Sequence, residues 1–198
     1  ALRSPATPVA ARAVRESVNE EAQRLSRLTD DLLVLARADA GKVELVRLAS
    51  DLSVPAQRAV DLLGASAARR GVTISTRFDP APARIDPDRI AQVAVNLMDN
   101  AMRHSPSGGD VQVETGLRDG EAFLSVADEG PGVPDDLAGR IFERFSRGDS
   151  ARGREKGGTG LGLAIALAIA NAHSGSLSLE ERGACGSRFV LRLPAIAS

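Results

Sequence analysis

Residues 157–163 read Gly-Gly-Thr-Gly-Leu-Gly-Leu, and this stretch opens a predicted helix that extends from Leu161 to His173. Glycines in such a position let several backbone N–H groups point at one anion, and the helix N-terminus adds its partial positive charge. The ligand expected at this stretch is therefore a triphosphate. A Walker-type loop is excluded because the Gly-Lys-Ser/Thr ending is absent, and a dinucleotide site is disfavoured because the glycines do not follow a strand in a βαβ unit.

A helix upstream of the glycines carries two asparagines. A proline behind Asp86, a residue type that caps helices, starts this predicted helix, and the apolar positions that follow mark one face as far as His104. Asn96 and Asn100 lie one turn apart, with Arg103 or His104 on the next turn of the same face. Amide oxygens suit a hard cation such as magnesium, and an arginine would meet phosphate charge. Taken alone, two asparagines on a helix more often belong to a solvated face.

Residues 128–134 read Asp-Glu-Gly-Pro-Gly-Val-Pro and stand at the end of a predicted strand. The carboxylate of Asp128 can accept a hydrogen bond from the exocyclic amine of adenine. Gly130 and Gly132 would let the backbone pass close to a flat base. By itself this motif is weak evidence for a site, because Gly-Pro clusters commonly just form turns.

Two of the five phenylalanines of the chain fall within residues 141–145, Ile-Phe-Glu-Arg-Phe, and a basic segment follows. In a mobile loop, the aromatic side chains could anchor a lid while the basic side chains reach phosphates. The basic residues in and behind this motif are Arg144, Arg147, Arg152, Arg154 and Lys156. A solvated basic loop is the alternative interpretation.

Helices and strands are mixed along the chain after residue 48. Helices are predicted over 50–70, 87–104 and 161–173, and strands over 72–78, 111–117, 122–127, 176–182 and 187–193. Residues 129–162 show little periodicity, which is typical of a functional loop or lid. We expect one α+β domain over residues 48–198, joined by a linker at 42–47 to a helical segment at 1–41.

The N-terminal segment has a helical stripe of apolar residues at Val14, Val18, Leu25, Leu28, Leu32 and Leu35. The three-and-four spacing from Leu25 to Leu35 is typical of a coiled-coil or bundle seam. Because two prolines interrupt residues 1–10, little chain is left for a partner helix before it, and we expect a second copy of the molecule to supply the partner. A helix that lies on the domain's own surface is the alternative.

The composition excludes several classes of protein. The 198 residues are 43% apolar and 26% charged, and no apolar run approaches the ~18 residues that suggest a membrane span. A net charge of -1 gives no reason to expect nucleic acid as a partner. The single cysteine, Cys185, cannot form an internal disulfide, and no signal peptide is visible. We therefore expect a soluble chain in the cytoplasm.

Together and in order, the four motifs resemble the N, G1, F and G2 boxes of the catalytic domain of sensor histidine kinases, a member of the ATPase superfamily shared with DNA gyrase and mismatch-repair ATPases. The resemblance covers residues from about 22 to 194. It implies a two-layer α/β sandwich, the Bergerat ATP-binding fold, in which helices cover one face of a mixed sheet. It also implies ATP and magnesium as ligands, with Asn100 and Asn96 holding the metal and with Asn96 and Arg103 contributing to catalysis.

The resemblance further implies which residues bind the nucleotide. Asp128 would recognise adenine, the glycines of the 157–163 stretch would cradle the phosphates, and Ser187 stands where the family often has a Thr or Ser near the adenine. The expected set is Asn96, Asn100, Arg103, His104, Asp128, Gly130, Gly132, Arg144, Lys156, Gly158, Thr159, Gly160, Leu161, Gly162 and Ser187.

The N-terminal segment resembles part of the family's dimerisation hairpin. Residues 2–5, Leu-Arg-Ser-Pro, resemble the end of the motif that carries the phosphoacceptor histidine, and residues 21–41 resemble the second helix of the hairpin. In this alignment the histidine falls one position before Ala1, and Ala1 itself stands where family members can have an assisting carboxylate. A sequence cut at this point and a shortened hairpin both explain the difference, and we expect the first.

The resemblance implies an ATP-dependent histidine autokinase that passes its phosphoryl group to the receiver domain of a response regulator. It also implies a homodimer through the N-terminal segment and a full-length protein anchored in a membrane. An ATP hydrolase or protein-serine kinase of the same superfamily is the rival enzyme, and the absence of a carboxylate base at Asn96 disfavours the hydrolase. The alternative that is not an enzyme is a nucleotide-sensing or dimerisation module that has lost phosphotransfer. The missing histidine favours this alternative.

Overall fold

A computed structural model describes residues 28–29, 31–40, 42–146, 159–181 and 186–196. The helices are α1 (31–39), α2 (Ser53–Arg70), α3 (Pro87–His104), α4 (Asp135–Ala138) and α5 (Gly162–Ala172). The strands are β1 (Leu48–Asp51), β2 (Thr73–Phe78), β3 (Pro82–Ile85), β4 (Asp110–Arg118), β5 (Glu121–Ala127), β6 (Ser176–Glu181) and β7 (Ser187–Pro194). This mixture confirms the predicted α+β class.

Five strands form one mixed sheet in the order β2-β4-β5-β7-β6. β2 pairs with β4 in parallel, and the other neighbours are antiparallel. One face of the sheet is apolar and packs against the helices through Val111, Val113, Leu124, Val126, Phe189 and Leu191, all of which are buried. The opposite face carries ion pairs, such as Arg188 Nη1 at 3.0 Å from Glu114 Oε2. Among the described residues, helices therefore cover one face of the sheet, which confirms the two-layer sandwich.

α3 begins at the position that Asp86 predicts. The Oδ1 atom of Asp86 accepts hydrogen bonds from the backbone N atoms of Asp88 and Arg89, at 3.1 Å each, and satisfies two donors that the first helical turn leaves free. The buried face of the helix is formed by Ile90, Val93, Ala94, Leu97, Met98, Ala101 and Met102. Since this face packs against α5 and the sheet, Asn96 and Asn100 are left half-buried at its edge.

A second, two-stranded sheet of β1 and β3 was not predicted from the sequence. Its presence moves the start of α2, which the periodicity placed at residue 50, to Ser53. The cause is Asp51, whose Oδ1 accepts from Ser53 N at 2.8 Å and whose Oδ2 accepts from Ala81 N at 2.9 Å. These two bonds stabilise an extended backbone as far as Asp51, so the helix starts after it.

α1 packs on the α+β domain. Val34 and Leu35 are buried and belong to its hydrophobic core, and Leu28 packs against that core half-buried. Leu32 and Leu33 are 49% and 47% exposed. The earlier members of the predicted stripe lie outside the described residues. The part of the stripe that the structure describes thus contacts the chain's own domain through some positions and leaves others open, and a homodimer through this segment stays a prediction.

None of the helices in the described part of the chain has both the length and the apolar character that crossing a bilayer requires.

Candidate functional site

One part of the site lies between α3 and the start of α5. A Cβ atom placed on Gly162, the first residue of α5, would lie 3.5 Å from Cγ and Oδ1 of Asn96. The Nδ2 atom of Asn96 is buried, and no described residue accepts a hydrogen bond from it. A buried amide donor without an acceptor costs free energy, so this atom is suited to a polar ligand. Asn100 lies one turn further along the same helix.

The glycine stretch contacts the phenylalanine motif as it enters α5. Gly160 has a φ of 71°, and its carbonyl oxygen accepts a hydrogen bond from Phe145 N at 2.8 Å. A Cβ atom on Gly160 would lie 2.9 Å from Phe145 Cα, so both the conformation and the contact require glycine. Thr159 Oγ1 accepts from the backbone N of Leu161 at 3.3 Å. The expected ligand-binding residues Lys156 and Gly158 lie outside the described residues.

Asp128 follows β5 and is buried, with 3% of its surface exposed. Its Oδ1 accepts from Gly130 N at 2.8 Å, and its backbone N donates to the carbonyl of the buried Ser187 at 2.9 Å. Burial raises the pKa of the Asp128 carboxyl, while the bond from Gly130, the charge of His104 and a bond from the Ser187 backbone oppose the rise. A carboxylate in such surroundings can accept a hydrogen bond from a purine amine.

Glycines allow three segments to meet around Asp128. A Cβ atom on Gly130 would lie 2.7 Å from both Asp128 Oδ1 and the carbonyl oxygen of His104. A Cβ atom on Gly186, whose φ is 87°, would lie 2.1 Å from the carbonyl oxygen of Asp128. Gly186 N also donates to the carbonyl oxygen of Gly130 at 2.6 Å. The end of α3, the loop after β5 and the start of β7 therefore form one closely packed wall.

Two arginines that were expected to meet phosphate are paired with carboxylates. Arg103 contacts Asp99 on the preceding turn of α3, and Asp99 Oδ1 also lies 3.4 Å from Nη2 of Arg70. Arg144 contacts Asp39 of α1. All of these side chains are partly exposed, and exposed ion pairs are worth little free energy. Rotation of the side chains can therefore release either arginine, and phosphate binding by Arg103 and Arg144 stays a prediction.

The two phenylalanines of the 141–145 motif differ in their surroundings. Phe142 is half-buried and packs edge-on against Phe189 of β7, with ring centroids 6.2 Å apart and an interplanar angle of 86°. Phe145 is 64% exposed and has a φ of 59°. Phe142 thus attaches the motif to the sheet, whereas Phe145 contacts the glycine stretch through its backbone.

A cavity of about 700 Å³ lies between α1, the phenylalanine motif and the outer side of α5. Its lining includes Leu35, Asp39, Val43, Phe142, Arg144, Ala164, Leu167 and Ala168. Asn96, Asn100 and Asp128 do not line it, so this cavity lies apart from these three residues, although the expected residue Arg144 does line it.

The structure brings Asn96 together with Gly162, and Asp128 together with His104, Gly130 and Ser187. The sequence interpretation did not include Gly186, although this glycine fixes the backbone beside Asp128. A glycine directly before a strand is the only signal that the sequence offers there, and it does not reveal a positive φ. The structure also buries His173, which follows the last residue of α5, with 3% of its surface exposed.

The chain matches known sensor kinases in sequence. Residues 85–197 match the family model for histidine kinase-, DNA gyrase B-, and HSP90-like ATPases. The chain is 38% identical over 146 residues to sensor histidine kinase YkoH of Bacillus subtilis (strain 168). This alignment covers 73% of this chain and 31% of YkoH. It is 36% identical over 198 residues to sensor protein IrlS of Burkholderia pseudomallei (strain K96243). This second alignment covers 100% of this chain and 42% of IrlS. The chain spans less than half the length of these relatives.

Solved structures of histidine kinases share the fold. The crystal structure of full-length ShkA in complex with AMPPNP aligns with a TM-score of 0.82 and 28% identity, over 98% of this chain and 41% of that chain. The mycobacterial sensor histidine kinase MprB aligns with a TM-score of 0.65 and 28% identity, over 77% of this chain and 100% of that chain. The chain therefore belongs to the histidine kinase-, DNA gyrase B-, and HSP90-like ATPase family, and its α+β domain is the catalytic domain of a bacterial sensor histidine kinase.

Proposed function

We propose that this chain binds ATP with magnesium between α3 and α5 and presents the γ-phosphate to a histidine imidazole. The observation that carries the proposal is the buried amide of Asn96, which has no acceptor among the described residues and faces the first residue of α5. A helix start favours negative charge, so the backbone N–H groups of the first turn of α5 would face phosphate oxygens. ShkA, whose crystal structure contains AMPPNP, supports a nucleotide as the ligand.

The adenine would lie against the closely packed wall around Asp128. This carboxylate would accept a hydrogen bond from the exocyclic amine, and the backbone at Gly130 and Gly132 would lie beside the ring. Since a guanine presents a carbonyl oxygen where adenine presents the amine, the buried carboxylate would disfavour guanine. Ser187 would contribute beside it.

The donor set of α3 fits magnesium. Asn100 and Asn96 supply amide oxygens, which are hard ligands of the kind that magnesium accepts together with water and phosphate oxygens. In the described residues no group of three or more His, Cys, Asp and Glu side chains could hold a metal ion, so the site would use amide and phosphate oxygens. When bound, magnesium neutralises charge on the phosphates.

The transfer itself would need positioning and charge stabilisation more than protein nucleophiles. The bond between the γ-phosphorus and its bridging oxygen breaks, a bond to an imidazole nitrogen forms, the imidazole proton leaves and ADP is released. The acceptor would be a histidine of the dimerisation hairpin of the whole protein. His104 and His173 are excluded from this role because both belong to the catalytic domain itself, one at the end of α3 and one buried behind α5.

The relatives named as sensor histidine kinases support a role in two-component signalling. We infer that the whole protein acts as a homodimer, places this domain in the cytoplasm behind a membrane-anchored sensor and passes its phosphoryl group to the receiver domain of a response regulator. Incubation of the whole protein with labelled ATP tests the transfer. Acid-labile, base-stable label supports it, and absence of label favours the nucleotide-sensing module.

Titration with ATP in the presence of magnesium tests the pocket directly. Asp128→Ala should weaken the affinity at least about tenfold, because a buried hydrogen-bond partner of the base is lost. Asp61→Ala, which removes an exposed carboxylate of α2, is the matched control and should bind as the wild type does. If Asp128→Ala is folded and also binds as the wild type does, the adenine pocket is elsewhere.

A second variant distinguishes a contact with the metal ion from a contact with the adenine base. Asn100→Ala should weaken the affinity in magnesium and leave the weaker binding in EDTA unchanged, because the amide would contact the ion and not the base. An equal loss under both conditions would show that Asn100 contacts the nucleotide directly and would contradict its assignment as a metal ligand.

A further inference from the structure

A buried polar junction joins α3, α5 and the linker on the side of the domain away from the glycine stretch. His173, directly behind α5, is its centre. The backbone N of Asp86 donates to His173 Nε2 at 3.0 Å, and His173 Nδ1 lies 2.8 Å from the carbonyl oxygen of Ile169. A carbonyl oxygen can only accept, so Nδ1 carries the hydrogen and Nε2 is the acceptor. The neutral imidazole in this one tautomer satisfies both bonds.

The linker is attached to the same junction. While Oδ1 of Asp86 caps α3, its Oδ2 accepts a hydrogen bond from Val46 N at 3.0 Å. The guanidinium of Arg47 donates to the carbonyl oxygen of Ala172, the last residue of α5. Two consecutive linker residues thus bind the residue that caps α3 and the last residue of α5.

The junction and the proposed phosphate site lie at opposite ends of one antiparallel helix pair. Asp86, before α3, meets His173, behind α5, and Asn96 within α3 meets Gly162, where α5 begins. At 1.5 Å per residue, the distance along the axis from Asp86 to Asn96 is about 15 Å, and that from Gly162 to His173 is about 16 Å. The two contacts therefore fix the same sliding movement of α5 along α3.

We propose that His173 is a positioning residue for nucleotide binding, which sets the axial register of α5 against α3 and connects that register to the linker. The inference rests on the proposed binding of ATP between these helices. A slip of α5 by one residue rise, about 1.5 Å, exceeds the range over which hydrogen bonds keep their strength, so the N–H groups at the start of α5 would no longer face a phosphate held by Asn96 and Asn100. A displacement of the linker at Val46 and Arg47 would act on the nucleotide through the same register.

Two conservative variants separate the bond between the helices from the bond within α5. In His173→Asn the amide nitrogen takes the place of Nδ1 and keeps the bond to Ile169, but nothing reaches Asp86 N. In His173→Gln the longer side chain carries its amide oxygen to the place of Nε2 and can accept from Asp86 N. We expect His173→Asn to weaken the affinity for ATP with magnesium about tenfold, or about 1.4 kcal/mol, and His173→Gln to stay within about twofold of the wild type.

Calorimetric titration with the non-hydrolysable analogue AMPPNP, at a temperature where every variant is folded, measures these affinities. Val190→Ala, which removes buried volume from β7 on the sheet face of Arg188, opposite the helices, is the control for lost stability and should keep the wild-type affinity. If His173→Asn does not fold, Arg47→Ala tests the junction from an exposed position, and we expect about a threefold weakening.

The pH dependence supplies a readout that a merely structural role would not change. A protonated imidazole would direct a second N–H at Asp86 N and break the contact between the helices, and the charged groups that act on it in the described structure are Arg47 of the linker and Asp86 of the α3 cap. Because burial lowers the pKa of His173 below its ordinary 6.5, the ratio of wild-type to His173→Gln affinity should fall only as the pH is lowered below 6.5.

Equal affinities of the Asn and Gln variants, or equal pH profiles of wild type and His173→Gln, would overturn the inference and leave ATP binding intact. Failure of the wild type to bind AMPPNP would overturn the proposed function and this inference with it.

Discussion

Gly186 shows how one residue without a side chain can determine the shape of the adenine wall. Its φ is 87°, and a Cβ atom would lie 2.1 Å from the carbonyl oxygen of Asp128, a distance that only a backbone shift can relieve. Gly120 has a similar φ of 80°, but a Cβ atom there would meet nothing within 4 Å. A side chain would be strained by the positive φ at either position, but it would clash with a neighbouring atom only at Gly186.

Gly120→Ala should therefore lower the free energy of unfolding by about 1–2 kcal/mol through backbone strain alone. Gly186→Ala should lower it by more than about 3 kcal/mol and should also weaken ATP binding, because the wall beside Asp128 must move. Urea unfolding of both variants measures the difference. Equal losses would show that the backbone at Gly186 relaxes without cost.

His173 gives the stability of the domain a pH dependence of defined sign. Burial lowers the pKa of the His173 imidazole below its ordinary 6.5, and the charge of Arg47 lowers it further, against the bond to Ile169 and the charge of Asp86. Below about pH 6.5 the unfolded chain therefore binds a proton that the folded chain does not yet bind. The contribution of His173 is complete above that pH and is lost as the pH falls toward the folded pKa.

We expect the free energy of unfolding of the wild type to fall more steeply between pH 6.5 and pH 5 than that of His173→Gln, which has no titrating group at this position. Urea unfolding at a series of pH values measures both slopes. Parallel profiles would show that the imidazole titrates alike in the folded and unfolded chains.

The phenylalanine motif is attached to the sheet through Phe142 and exposed at Phe145. Phe142 packs half-buried against Phe189, and Phe145 is 64% exposed. Phe142→Ala should cost about 1–3 kcal/mol of stability, because it removes apolar burial and an edge-on ring contact. Phe145→Ala keeps the same backbone at that position and should change stability by less than about 0.5 kcal/mol. Chemical unfolding of the two variants measures this contrast, and equal costs would contradict attachment through Phe142.

Elements with a strong local pattern could be predicted from the sequence. α3 was predicted with its start and buried face because an aspartate caps it, a proline follows and the apolar positions repeat with helical spacing. β1 and β3 were missed because each has four residues, too few for an alternation to be recognised. The shift of α2 to Ser53 depends on Asp51 binding Ala81 N, a contact between residues 30 positions apart that no local pattern contains.

At the scale of the whole molecule, the candidate site could be predicted as a set of motifs but not as a set of contacts. The order of the motifs indicated that Asn96, Asp128 and the glycine stretch serve one ligand. The pairing of Arg144 with Asp39 and the burial of His173 against Asp86 join residues 105 and 87 positions apart. Such contacts arise from the packing of complete helices, so no spacing in the sequence reveals them.

Because the proposed ligand would contact α3, α5 and the end of β5 at once, its binding should stabilise the domain as a unit. A ligand that binds only the folded chain adds about 2.7 kcal/mol at a concentration of 100 times Kd. For a chain of 198 residues this raises Tm by roughly 5 to 11 °C. Thermal unfolding with ATP and magnesium measures the rise, and it should shrink when EDTA replaces magnesium or when GTP replaces ATP at the same concentration. An equal rise with GTP would contradict base recognition by Asp128, and an equal rise in EDTA would contradict metal binding by Asn96 and Asn100.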